Sequence, residues 1–169
     1  MTMFRYPDKT YSMRKIFLPI LAMMVLAFTG CTKEESLEEM PIVEDQNNSW
    51  SFVEGGTEYR GVVDTAFIEL INGTEVLTIE GTATSGTQGN IALLLVGDPV
   101  GVGNYPSPLS ALLYIENGAF KYETDPATPG FTIGITQFST TSVSGTFSGL
   151  VKENGVDRNV TEGSFKATF

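Results

Sequence analysis

From Ser49 to Phe169 the chain alternates apolar and polar residues in short runs, broken by turn residues about every 8–12 positions, a rhythm of strands rather than helices. In Thr74–Thr82, Leu77 and Ile79 fall on one face and Thr78 and Glu80 on the other. Val143, Gly145, Phe147, Gly149 and Val151 alternate with Ser and Thr in Ser142–Val151, and Thr161, Gly163, Phe165, Ala167 and Phe169 do so in Asn159–Phe169. Similar reasoning predicts strands at Trp50–Val53, Tyr59–Ile71 (long, with a bend), Ala111–Ile115 and Ala119–Glu123. A further strand at Phe131–Phe138 needs a bulge, because Phe138 falls out of step with Phe131, Ile133 and Ile135. Asn90–Val96 is apolar on both faces, which predicts a central strand covered on both sides or one that meets a partner. Glu54-Gly55-Gly56, Asn72-Gly73 and Glu116-Asn117-Gly118 read as turns, and Lys152–Asp157 joins the last two strands. Gly97–Leu109 (GDPVGVGNYPSPL) reads as a long loop in which Pro and Gly exclude regular structure.

No stretch of this region keeps a 3.6-residue period. The fold class expected is therefore all-β: a single antiparallel β-sandwich or barrel of about eight to nine strands, with little or no helix. Each Gly beside a Phe in the closing strands lets an aromatic ring lie across its neighbour.

The first thirty residues have a different pattern. Met13-Arg14-Lys15 followed by the apolar run Ile16–Phe28 has the anatomy of a secretory signal. At 13 residues the run is shorter than the roughly 20 a membrane-spanning helix needs. Residues 1–30 are accordingly expected to be a signal peptide, with Met13 rather than Met1 as the natural start. Thr32–Asn48 is acidic, lacks an apolar face and reads as a flexible tether reaching about 20–25 Å. With Cys31 it forms a 31–48 linker to the 49–169 β domain.

Charge sharpens the picture. The leader holds four of the ten basic residues and one of the twenty acidic ones, leaving six against nineteen and a net of −13 beyond it. Such a polyanion argues against nucleic acid or anionic lipid as a partner, since phosphate contacts need clustered Lys and Arg. There is no His and one Cys, which removes Ser-His and Cys-His catalytic sites and the usual zinc or copper ligand sets. No cofactor is implied.

The end of the leader, Leu26-Ala27-Phe28-Thr29-Gly30-Cys31, resembles a lipobox, with Phe28 in place of the common Leu. Lys33, Glu34 and Glu35 resemble the export signal of Bacteroidetes-type surface lipoproteins. Gly103-Asn104-Tyr105, the strand GFTIGITQF, and the closing SGTFSG and EGSFKATF segments also resemble small lipoproteins of that group. This resemblance implies lipidation at Cys31, attachment to the outer membrane by that lipid and display towards the medium. It implies a β fold and brings no known activity. Asp64-Thr65-Ala66 matches the O-glycosylation acceptor pattern of the same bacteria, which marks Thr65.

The remaining chemistry is sparse. Glu69, Glu75, Glu80, Glu116, Glu123, Glu162 and Asp64 lie on or near strands, where paired carboxylates could cleave glycosides but a solvated strand face explains them equally. Asp98, Asp125, Glu153-Asn154 and Asp157 fit no calcium-loop spacing and suit turns. Trp50, Tyr105, Tyr114 and Tyr122 are aromatics that could stack on a sugar; of these Trp50 is expected to be buried, and Tyr105 and Tyr114 are the better ligand contacts. The expected function is a non-enzymatic binding or structural domain for a protein or carbohydrate partner. A calycin-like barrel with a cavity behind Leu93, Leu95 and Ile133, a carboxylate hydrolase and a subunit of an envelope assembly are the alternatives. An exposed apolar patch on the Asn90–Val96 strand would mark the last of these.

Overall fold

A computed structural model describes residues 47–84 and 88–169. The signal peptide, Cys31, Lys33, Glu34, Glu35 and the tether up to residue 46 lie outside the described residues. The β domain consists of β1 (Ser49–Glu54), β2 (Thr57–Ile71), β3 (Thr74–Ala83), β4 (Gly89–Gly97) and β5 (Gly103–Pro106), followed by β6 (Ser110–Glu116), β7 (Ala119–Glu123), β8 (Phe131–Phe138), β9 (Ser142–Glu153) and β10 (Val156–Thr168). No helix occurs among the described residues.

All pairings are antiparallel, and eight strands close on themselves in the order β1-β2-β3-β4-β6-β7-β9-β10. The choice between sandwich and barrel therefore falls to the barrel. The ring closes between β7 and β9 through a single opposed pair, Glu123 and Lys152. Nearer the other end, β8 takes the same edge of β9 and β5 extends β8. β5 corrects the expectation for Gly97–Leu109. Gly103–Pro106 is extended there and pairs with Thr132–Ile135, so Pro106 merely terminates a short edge strand.

Local chemistry explains the hairpins. Asn72-Gly73 takes φ of 52° and 85°, the double left-handed geometry of a two-residue turn whose twist matches that of the strands. Gly55-Gly56, Asn117-Gly118 and Asn154-Gly155 repeat this conformation. The bend expected in β2 is a register shift between Val63 and Thr65, and the slip expected in β8 lies between Ile135 and Gln137.

The two-sided reading of β4 resolves into an inner and an outer face. Ile91, Leu93 and Leu95 are buried, whereas Ala92 and Val96 are half-buried and Leu94 is 37% exposed. One alternation was misjudged. The pairing of β10 with β9 shifts between Val160 and Gly163, where Glu162 has a φ of 53°, so Val160 rather than Thr161 joins Gly163, Phe165 and Ala167 on the buried face.

The barrel interior is filled by one apolar cluster that includes Trp50, Phe52, Leu77, Leu93, Leu95, Tyr114, Ile133, Phe147 and Phe165. Trp50 is buried, and its indole N–H donates to the Val62 carbonyl at 3.1 Å. Phe147 and Phe165 lie across the backbone opposite them. A Cβ at Gly163 would stand 2.5 Å from the Phe147 ring, and one at Gly145 would stand 2.7 Å from the Phe165 ring.

Candidate functional site

The strand directions sort the turns onto two ends. The two-residue turns after β1, β6 and β9 share one end. The Asn72-Gly73 turn, the 98–102 loop, the β8–β9 loop and the chain end at Phe169 share the other. At this second end lies an apolar groove of about 770 Å³, lined by Ala66, Phe67, Ile68, Glu75, Pro99, Val100, Phe138, Ser139, Thr140 and Phe169. That volume is within the range of small-molecule sites.

Three local features build the groove. The register shift in β2 turns Ala66 and Ile68 towards the barrel, opposite Ile79 and Leu77 of β3. β2 and β3 then run on to Asn72-Gly73, and Ile68 stays 37% exposed. Second, the Glu75 carboxylate accepts the Val100 amide at 2.8 Å, which clamps the 98–102 loop over β3. The Tyr105 hydroxyl donates to the Gly101 carbonyl and accepts the Gly101 amide, each at 2.8 Å, and pins the same loop from its far side. Third, the Ser139 hydroxyl accepts the Ser142 amide at 3.0 Å, fixing the loop behind Phe138, and Phe138 meets Phe169 edge-on at 6.0 Å.

The opposite end is polar. Tyr122 donates to Glu54 at 2.9 Å and shares a 3.1 Å hydrogen bond with Tyr59. Burial, followed by the hydrogen bonds to Tyr59 and Glu54, pushes the Tyr122 hydroxyl far above its ordinary pKa, so it stays a donor. Lys121 sits 5.1 Å over the Tyr59 ring and pairs with Glu116 at 2.7 Å. Burial works against its charge, but the bonds to Glu116 and Tyr59 outweigh that and raise its pKa. The network ties β1, β2, β6 and β7 together.

The residues singled out from sequence are dispersed. Tyr114 is only 1% exposed, packed edge-on against Phe52 and Trp50, and is corrected from ligand contact to core residue. Tyr105 is half-buried with its hydroxyl bonded to Gly101, so in this structure it supports the 98–102 loop. Thr65 is exposed on β2, beside the register shift. Leu93, Leu95 and Ile133 lie in the core cluster, each 1% exposed.

Glu75 reaches the groove, and Asp64 and Glu80 line a smaller depression of about 350 Å³ on the outer wall, where Asp64 accepts the Thr82 hydroxyl at 2.6 Å. Asp125 is a turn residue whose pKa is lowered by the Ala127 amide and the Thr128 hydroxyl. Glu153 pairs with Arg158, and Asp157 with Lys152. No group of three or more Asp, Glu, His or Cys is placed to hold a metal among the described residues.

Sequence reasoning missed Ile68, Val100, Phe138 and Phe169 as site residues. The available signal was AFIELI at the end of β2, apolar on both faces just before a turn. No protein-family model, curated protein or solved structure matches the chain.

Proposed function

We propose that this chain is a lipid-anchored, non-enzymatic binding protein of the cell envelope, tethered through Cys31 and displayed from the outer membrane by way of Lys33, Glu34 and Glu35. Its β-barrel takes an apolar ligand in the groove between the β2–β3 hairpin, the 98–102 loop and the β8–β9 loop. The observation that carries the reading is this groove of about 770 Å³, walled by Phe67, Ile68, Pro99, Val100, Phe138 and Phe169 around one bonded carboxylate. Such a wall favours apolar surface and offers few directional contacts, so the ligand is chosen by shape and hydrophobicity. The barrel fold is compatible with a calycin-like binder, with the site at the barrel end in place of a central cavity.

The test has two arms. A neutral apolar fluorophore, N-phenyl-1-naphthylamine, should brighten on binding the chain from Cys31 onward. Ile68→Asp, which puts a charge in the groove, should weaken binding at least tenfold. A bound dye indifferent to that substitution would place the site elsewhere. Independently, a fatty-acid label should enter the protein in cells and be lost with Cys31→Ser; labelling that survives would refute the anchor.

One observation favours a second reading, a subunit of an envelope assembly. The outer faces of β2, β3, β4 and β6 carry Phe67, Val76, Leu94 and Leu113, of which Leu94 and Phe67 are 37% and 40% exposed. The exposure of Thr65 supports O-glycosylation there, which a mass shift on its peptide would reveal.

A further inference from the structure

The large exposed apolar side chains are unevenly distributed. Phe67, Ile68, Leu70, Ile71, Val102 and Phe169, which are 37–70% exposed, gather at the groove end. Leu70 and Val102 are the most open, at 70% and 68%, and neither lines the groove. Phe120 and Val156, in the first residues of β7 and β10 at the opposite end, are followed in sequence by the charged Lys121 and Asp157.

All but one of the described basic residues lie away from the groove end, while acids occur at both, with Glu54, Glu58, Glu116, Glu123, Asp125, Glu153 and Asp157 at the other. Of the basic residues described, Arg60, Lys121, Lys152 and Arg158 belong to the half containing the Gly55-Gly56, Asn117-Gly118 and Asn154-Gly155 turns. The groove end has the acids Glu69, Glu75 and Asp98 on its β2–β3 hairpin and 98–102 loop. Lys166 is the nearest basic residue, on the flank of β10.

The polypeptide also enters the barrel at this end. Asn48, just before β1, accepts the Thr168 amide at 2.8 Å, next to Phe169 of the groove. The chain that precedes it carries Cys31.

We propose that the groove end of the barrel seats on a charge-neutral lipid surface, with Leu70, Ile71 and Val102 entering the interface and the groove facing the acyl layer. This rests on the reading of the groove as an apolar binding site on a membrane-tethered domain, and it names the source of that site's ligand: a lipid acyl chain. Apolar patches of this kind are stabilised at the boundary between headgroups and acyl chains. The acids at this end, with no basic residue in the Glu69–Glu75 stretch or the 98–102 loop, make an anionic surface the poorer partner.

The test uses the chain from residue 31 with Cys31→Ser, so that no attached acyl chain contributes. It should co-sediment with phosphatidylcholine vesicles and bind less when phosphatidylglycerol is added. Leu70→Asp with Val102→Asp should reduce partitioning at least tenfold while N-phenyl-1-naphthylamine binding stays unchanged, because neither residue lines the groove. Near-ultraviolet circular dichroism checks that the double variant is folded. Absent partitioning, partitioning indifferent to the double variant, or preference for anionic vesicles would overturn the proposal. If vesicles fail while the dye binds in an Ile68-dependent way, the docking alone is wrong; if the dye fails too, the groove reading falls with it.

Discussion

At the scale of single residues, a side chain's company decides its role more than its type does. Tyr114, Tyr122 and Tyr105 are similar in sequence, yet one is core, one anchors a polar network and one pins a loop. Tyr122 gives the sharpest expectation. Tyr122→Phe leaves Glu54 and Tyr59 without their shared hydroxyl and should cost about 1–2 kcal/mol at neutral pH. The folded-state pKa of this hydroxyl is raised, so its contribution is complete below the unfolded value and is lost as pH rises past about 10.0. Urea unfolding of both proteins at pH about 8 and about 11 should show the wild-type advantage narrowing at the higher pH. A constant advantage would mean that the hydroxyl is not held protonated by the fold. These roles were illegible in the sequence because each depends on partners more than fifty residues away (Glu54 and Tyr59 for Tyr122, Phe52 and Trp50 for Tyr114) or on a loop whose path Glu75 sets.

At the scale of elements, periodicity worked where a strand has one wet face and one dry one. The positions of β3, β7, β8 and β9 follow from alternation and turn residues alone, and the bulge in β8 was legible because Phe138 broke the phase. Alternation failed at β10, where the shift after Val160 resets the phase with no compositional mark, and at β5, where Gly and Pro hid four paired residues. The groove was missed for a related reason: Ile68 faces inward like a core residue, but its hairpin runs on past the pairing with β1. Glycines separate two physical demands on these elements. Gly118 has a φ of 78° with nothing within 4 Å of an added Cβ, so Gly118→Ala should cost about 1 kcal/mol of backbone strain. At Gly163 the added Cβ would meet the Phe147 carbonyl at 2.2 Å and its ring at 2.5 Å, so Gly163→Ala should cost about 2–4 kcal/mol. Denaturant midpoints of the two variants compare them directly, and equal losses would show that the ring does not lie against that strand.

At the scale of the molecule, closure is uneven, and this predicts where the barrel opens first. β9 and β10 pair from Ser142 opposite Thr168 to Glu153 opposite Val156, interrupted only by the shift after Val160. β2 and β3 likewise pair from Gly61 opposite Ala83 to Ile71 opposite Thr74. The seam between β7 and β9, by contrast, rests on Glu123 opposite Lys152, and β5 hangs on β8 by four residues. Local opening frees amides where few ladder bonds and little apolar burial must be given up. Under native conditions, amide hydrogen exchange should therefore release β5 and the seam-facing amides of β7 well before Phe165, Ala167 and Val143, which exchange only with global unfolding. The side chain of Tyr122 is the counterweight at the seam: it bonds across to β1 and β2 through Glu54 and Tyr59. Tyr122→Phe should thus speed exchange in β7 more than it speeds exchange in β10. Uniform protection around the ring would mean that the β7–β9 closure is as strong as its neighbours, and that the core behind Tyr114 and Tyr122, rather than the ladder, holds the barrel shut.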